Sequence, residues 1–513
     1  MKKRTKLLAF VLAGVMLTGC MTGCGAKEGN KNDKGGQSAT DIQISYWRSG
    51  LDIGWLDAVI AAFEEKHPEY NVYYNETADL AASKAAYGLE DVDTVDLYMT
   101  TSDYDTTYLE SLNDVLDTTV EGESKSIREK FNENYLKLEQ FSDGNYYNLT
   151  FGGGIIGFVY NTKIFEEAGV EQLPRTTDEL ALLCSNLADR NIVPLCHFQN
   201  GGYWWQINEL WYAQYEGADA YYDFYKNPTK ERMMEKDGRY EVLKVNEKLL
   251  TPEYVMPGSN AENHVSVQTK FLNGRAAMMI NGSWLSSEML HTDKINDFVM
   301  MKTPVISSIV NKLTTVKNDQ QLRKLIDAID TVIDGVKTED EYKDGENYLV
   351  DGITVSAADW ARVKEARGIM AANHADLSCF IPKYSNAKDG AKEFLKFFYS
   401  DEGYKVYQET LNLKMPLSMC EGEVDTSEWN NFMKNQAELL DKMETAITVT
   451  SKSKHPIFID GGAWSFGSEA YDFRSLMCSN NEEDRVSADE AWDYIYNLIN
   501  DNYEKTWLKN IKK

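Results

Sequence analysis

Phe271-Leu272-Asn273-Gly274-Arg275 leads into the apolar run Ala276-Ala277-Met278-Met279-Ile280, and Asn281-Gly282-Ser283-Trp284 follows it. The run reads as a buried strand, with a glycine-flanked tryptophan just past its end. Upstream, Ile42-Gln43-Ile44-Ser45-Tyr46-Trp47 alternates like a strand, and Trp55, Val59, Ala62, Phe63 and Lys66 then fall at helical spacing before Pro68. Tyr70–Tyr74 and Val95–Met99 add further extended runs, the latter leading into the polar turn Thr100-Thr101-Ser102-Asp103. Strand, helix and strand in alternation predict α/β architecture with mainly parallel sheets. In such sheets ligands bind beyond the carboxyl ends of strands, which directs attention to Trp47 and to Thr100–Ser102.

Other stretches refine this. Gly152-Gly153-Gly154-Ile155-Ile156-Gly157 has the spacing G-x-G-x-x-G, but Ile155–Tyr160 continues as an apolar strand where a nucleotide site needs a helix to open. The glycines therefore read as a tight turn with close backbone packing. Thr176 and Glu179 predict a capping box before Leu180, Leu183 and Leu187. Asn200-Gly201-Gly202-Tyr203-Trp204-Trp205 and Gly461-Gly462-Ala463-Trp464 bring further tryptophans next to glycine. Residues 303–372 read as a helical insertion: Leu322, Leu325, Ile326, Ile329, Val332 and Ile333 form an amphipathic stripe, Thr338–Asn347 a charged loop, and Trp360, Val363 and Met370 a second helix.

The chain has 513 residues, 43% of them hydrophobic, which is enough for two to four domains with sizeable cores. Its net charge of −28 opposes binding to nucleic acid and to anionic lipid surfaces. At the start, Lys2, Lys3, Arg4 and Lys6 precede the apolar run Leu7–Leu17 and the ending Leu17-Thr18-Gly19-Cys20. This is an export signal, since eleven residues at about 1.5 Å each reach only about half of a roughly 30 Å hydrocarbon core. Removing it with its four positive charges takes the net charge from −28 to −32. Residues 20–41 read as a flexible tether, of which the seventeen residues Gly25–Asp41, rich in Gly, Lys, Asn, Asp and Ser, would span roughly 20–25 Å. There is no C-x-x-C and the histidines are scattered, so no metal site is expected, and the remaining cysteines read as buried thiols.

Taken in order, these pieces resemble the extracellular solute-binding proteins of bacterial ABC importers, within the carbohydrate-uptake group that is similar to maltose-binding proteins. The resemblance rests on Tyr46-Trp47; on Asp143-Gly144 with Tyr147; on Tyr160-Asn161 with Phe165, Ala168 and Gly169; on Pro174–Leu180; on Phe271–Trp284; and on Ala391–Ser400. Thr177 stands where the pattern usually has Trp, Thr150 where it often has Pro, and 303–372 exceeds the simplest members. Leu-x-Gly-Cys resembles the lipobox of bacterial lipoproteins, which implies residues 1–19 as signal peptide and lipidation of Cys20, with Cys24 as the alternative.

The resemblance implies a two-lobed periplasmic-binding-protein-like fold (type II), each lobe a mainly parallel sheet flanked by helices, with a hinge between them. Lobe 1 is expected over 42–160 and 296–385, including the insertion, and lobe 2 over 161–295 and 386–513. The implied activity is binding without catalysis or cofactor: a carbohydrate in the interlobe cleft, delivered to the transmembrane subunits of an ABC permease by a monomer held to the outer face of the membrane only through its lipid. Sugars need aromatic platforms and polar edges. The candidates are Trp47, Arg48, Thr101, Ser102, Trp204, Trp205, Ser283, Trp284, Asn373 and Trp464. A secreted hydrolase, or a binder of a peptide or polyamine on the same fold, are the competing readings.

Overall fold

The computed structural model describes residues 40–47, 51, 53–76, 95–100, 106–131, 133–199, 202–289, 293–373, 377–413, 424–442, 445–448 and 472–507. The export signal, the tether, Cys20, Cys24 and Cys420 lie outside them. The described strands are β1 (Thr40–Tyr46), β2 (Tyr70–Glu76), β3 (Leu97–Thr100), β4 (Leu149–Thr150), β5 (Gly154–Asn161), β6 (Leu195–Cys196), β7 (Met278–Gly282), β8 (Phe298–Met300), β9 (Lys343–Asp344), β10 (Asn347–Val350), β11 (Ile353–Ser356), β12 (Ile369–Asn373), β13 (Ser378–Phe380) and β14 (Thr445–Thr448).

Two sheets carry the fold, as the alternation of strands and helices predicts. The first has the order β2-β1-β3-β13-β4, and the second the order β14-β12-β5-β7-β6 with β8 also on β5. In the first sheet β1 is parallel to β2 and β3, while β13 runs antiparallel to β3 and β4. In the second, β12/β14 and β6/β7 are parallel and β5 is antiparallel to β7, β8 and β12. The antiparallel pairs arise because β5 continues from β4 and β13 from β12, each strand entering one sheet from the other.

The burial of β5 explains its apolar run. Ile156 and Phe158 pack into the core formed with the helices Trp204–Glu216, Gly238–Leu249 and Ala488–Asn502, whereas Ile155 and Val159 face the opposite core. A central strand covered on both faces has no polar side to alternate with. The helix Gly54–Lys66 instead buries one stripe, Trp55, Leu56, Val59, Ile60 and Phe63, against the first sheet's core.

Sheet membership moves the expected lobe boundaries. β5 belongs wholly to the second sheet, so the division falls at 151–153 and not after 160. Residues 298–373 belong with the second sheet: β8 and β12 are strands of it, and the insertion between them packs on its helical side, where Leu322, Leu325, Ile326, Ile329, Trp360 and Val363 share a core with Trp211 and Ile369. Conversely, Lys388–Phe398 and Asp401–Leu411 return to the first: Phe394 and Tyr407 meet Phe63 and Trp55 with ring centroids 5.3 and 4.6 Å apart. The helix Asn431–Asp441 then goes back to the second sheet, Asn435 Oδ1 accepting from the Met300 amide at 2.8 Å. Apolarity identified buried strands but carried no information on which sheet each one joins.

The insertion also differs from the expected pair of helices. Helix Asp319–Ile333 is followed by a three-stranded antiparallel sheet, β9 to β11, and then by helix Ala357–Gly368. Met370 lies in β12, beyond that helix. Trp360 stacks on Tyr348 of β10, centroids 4.3 Å apart at 13°. Buried Asp359 accepts from the amides of Thr314, Thr315 and Val316, which ties the second helix to the loop that opens the insertion. The expected capping box is half formed: Thr176 Oγ1 accepts from the Glu179 amide at 3.3 Å, but the Glu179 carboxylate turns back to the Arg175 amide and guanidinium. Among the described residues no helix is long and apolar enough to cross a membrane. Cys184, Cys196, Cys379 and Cys478 are buried and free.

Candidate functional site

Two strand-to-strand connections join the sheets, 151–153 between β4 and β5 and 374–377 between β12 and β13, while 412–430 carries the chain across a third time between the helices Asp401–Leu411 and Asn431–Asp441; the register on either side of the first two shows what meets there. On the first sheet Ser378 pairs with both Thr100 and Thr150. On the second, Gly154 pairs with Asn373, and the Ser283 amide donates to the Ile155 carbonyl at 3.1 Å. Thr150 and Gly154 are four residues apart, so their Cα atoms lie within about 14 Å of each other. The carboxyl ends of β1, β3 and β7 and the end of β12 therefore converge on one short crossover.

Trp47 stands one residue past β1. Its amide donates to the Met99 carbonyl at 2.9 Å, and the residue is partly exposed. Arg48, Thr101 and Ser102 continue from the same strand ends but lie outside the described residues, as does Trp464. The backbone of Asn373 closes β12, and its side chain is likewise outside the description.

Across the crossover, Trp284 follows β7 and begins the short helix Leu285–Glu288. Its indole lies on the backbone of Gly282, where a Cβ would come within 2.3 Å of the ring, and Tyr203 meets it edge to face with centroids 5.1 Å apart. Tyr203 in turn makes a T-shaped contact with Phe198 at 5.0 Å. Trp284, Tyr203 and Phe198 are all partly exposed, so this wall presents aromatic surface. Tyr203 was legible as one of three aromatics after Gly202. Nothing in the sequence around Phe198 singled it out.

Two candidates are placed differently from the expectation. Trp204 opens the helix Trp204–Glu216 and is only 1% exposed, its ring 5.8 Å from Phe158 and 6.2 Å from Trp211. Successive helical residues diverge by about 100°, so Trp204 enters the core while neighbouring Trp205 stays partly exposed. Ser283 is 3% exposed and its hydroxyl is engaged within the protein: Oγ accepts from the Ile155 amide at 3.1 Å and donates to Gln436 Oε1. It serves as a strand-end joint, a role invisible without its partner helix.

The described part of this region offers aromatic faces, hydroxyls and backbone groups, an inventory suited to holding a polar, uncharged ligand. No group of three or more His, Cys, Asp or Glu that could hold a metal occurs among the described residues.

Comparison with known proteins gives a consistent picture. The model of a family described as bacterial extracellular solute-binding protein matches residues 50–327. A maltotriose-binding protein of Pyrococcus abyssi is 28% identical over 141 residues, which is 28% of each chain. A putative binding protein of Brucella abortus is 25% identical over 155 residues, 29% of this chain and 35% of the other. The chain thus aligns with about a third of the length of these curated relatives. Among solved structures, the solute receptor AcbH, described as exclusive for β-D-galactopyranose, superposes with a TM-score of 0.58 at 14% identity, covering 90% of this chain and 99% of the receptor. A chitin oligosaccharide binding protein gives 0.57 at 17% identity, covering 91% and 99%. At these identities the likeness is one of fold.

Proposed function

Because the chain belongs to the bacterial extracellular solute-binding protein family, whose members are receptors and not enzymes, we propose that it captures a carbohydrate, specifically an oligosaccharide, in the cleft between its lobes. Closure about the crossover buries the sugar, and the loaded protein passes it to the transmembrane subunits of an ABC permease. A lipid on Cys20, or on Cys24, holds the otherwise water-exposed monomer at the outer face of the membrane.

One observation carries this reading. Trp284 is fixed by Gly282 below and Tyr203 beside it at the crossover end of β7, and across the crossover Trp47 stands at the end of β1. Partly exposed aromatic rings at strand ends that lead to the same crossover suit the flat C–H faces of a pyranose. The names of the maltotriose-binding relative, of AcbH and of the chitin oligosaccharide binding protein support a sugar as the ligand class.

The test is titration calorimetry with a panel of mono- and oligosaccharides, together with peptides and polyamines. Saturable binding of a sugar supports the proposal. Binding confined to peptides or polyamines overturns it.

A further inference from the structure

The geometry points to Thr150 as a positioning residue that sets the angle between the lobes, with Gly152-Gly153-Gly154 as the pivot. The inference rests on the two-lobed binding reading and adds to it a residue that touches no ligand.

The first-sheet side of the pivot is rigid. The Thr150 amide donates to the hydroxyl of Tyr135 at 2.7 Å, and its carbonyl accepts from the hydroxyl of Tyr399 at 2.8 Å. Both tyrosines are buried, and Phe131 packs between them at 5.5 and 5.3 Å. Cys379 Sγ, 3.0 Å from the Tyr399 oxygen, backs the pair. With both of its peptide groups clamped, Thr150 moves with the first sheet, as does Phe151, whose buried ring packs on Tyr46 and Trp55 with centroids 6.2 and 6.0 Å apart.

Its side chain reaches past that clamp to both connections. Oγ1 lies 2.6 Å from the Gly152 carbonyl oxygen on one connection and 2.8 Å from the Leu377 carbonyl oxygen on the other. A hydroxyl carries one proton, so it can satisfy one carbonyl fully or both partially. Leu377 keeps a second donor in the Phe151 amide at 2.9 Å. Rotation of the lobes turns the peptide of Gly152 relative to Leu377, and therefore changes how that single proton is shared.

The second-sheet side is anchored in the same way. Ser283 Oγ holds the Ile155 amide and Gln436, linking the start of β5 to the end of β7 and to the helix Asn431–Asp441. Between these two hydroxyl anchors lie the three glycines. A Cβ on Gly152 would fall 2.5 Å from the Tyr407 oxygen, and one on Gly154 would fall 2.6 Å from Ser283 Cβ. Side chains are excluded where the chain must turn, and glycine leaves the φ and ψ angles there least restricted. The backbone freedom of this connection is thus concentrated in the three glycines, and the Thr150 hydroxyl is the polar side-chain link described between it and the 374–377 connection. By population shift, a change in the fraction of binding-competent conformer changes the apparent Kd by the same factor.

The experiment compares Thr150→Val, which removes the hydroxyl at nearly constant volume, with Thr150→Ser, which retains it. Amide hydrogen exchange at Phe151 and Gly152 and small-angle scattering are recorded on the sugar-free full chain. In Thr150→Val the two amides exchange at least about tenfold faster and the distribution of lobe separations widens; Thr150→Ser matches the wild type. Unchanged exchange and scattering in Thr150→Val, or a Thr150→Ser protein perturbed as much as the valine variant, overturns the proposal. If the valine protein does not fold, Thr150→Ala takes its place; failure of both beside a native serine variant makes Thr150 purely structural and also overturns it. No sugar enters the assay, so failure of the sugar-binding reading leaves this result standing.

Discussion

The indole of Trp284 lies directly on the backbone of Gly282, so close that a single methyl group on the glycine would come within 2.3 Å of the ring. Gly282 has no other evident reason to lack a side chain: it sits in regular β7, paired with Ile156. The contact makes the platform position a property of two residues. Trp284→Ala should weaken sugar binding at least about tenfold, near 1.4 kcal/mol, and Gly282→Ala should do the same by displacing an intact indole. Calorimetry on both variants, with circular dichroism as the folding control, checks this; unchanged affinity in either removes the platform from the account.

Trp204 separates packing from binding. It is buried against Phe158 and Trp211, so Trp204→Ala should cost about 3–5 kcal/mol of stability, while the folded protein keeps its affinity for sugar. Denaturant unfolding measures the first and titration below the transition the second. A loss of affinity without a loss of stability would return Trp204 to the cleft.

What was legible in the sequence follows from where the information resides. Local pattern sufficed for the existence of the strand expected at Ala276–Ile280, which forms two residues later as Met278–Gly282, for the helix stripe Leu322–Ile329 and for the α/β class, because each depends on which side chains are apolar and at what period. Sheet membership was not legible: β5 and β13 are apolar on either assignment, and only pairing with Met279 or Met99 decides between them. Burial of Trp204 beside partly exposed Trp205 depended on a helix phase that two adjacent identical residues do not reveal. One signal was present and unused. Asp351-Gly352, both at positive φ, joins β10 to β11 as a two-residue hairpin turn, and Asp-Gly is a strong short-range indicator of one.

The insertion's attachment is sensitive to acid. Burial opposes ionisation of Asp359, yet the amides of Thr314, Thr315 and Val316 and the Thr315 hydroxyl together hold its carboxyl below the ordinary value. A depressed folded-state pKa stabilises fully above the unfolded value of about 3.9, and that stabilisation is lost as pH falls below it. Thermal melts of the wild type from pH 6 to 3 should show the loss beginning near pH 4. Asp359→Asn should be destabilised by about 1–3 kcal/mol at pH 6 and show a flatter dependence in that window. Equal slopes would mean that Asp359 does not govern acid sensitivity.

The buried thiols should be chemically silent. Burial pushes the Cys379 thiol up to about 12 and raises Cys184 and Cys196 as well, and thiolate is the reactive form. At pH 7.5 iodoacetamide should leave these three unmodified in the native protein and alkylate all of them in guanidinium, as read by peptide mass spectrometry. Native alkylation of Cys379 would contradict the packing drawn around Tyr399 and Thr150.

A receptor that captures an oligosaccharide for transport returns it unchanged. The most direct measurement is incubation of the purified protein with an oligosaccharide panel, following its melting temperature and the sugar by chromatography. At least one oligosaccharide should raise the melting temperature in a concentration-dependent way and be recovered intact. Turnover of the sugar, or no shift with any carbohydrate while a peptide or polyamine produces one, would contradict oligosaccharide capture.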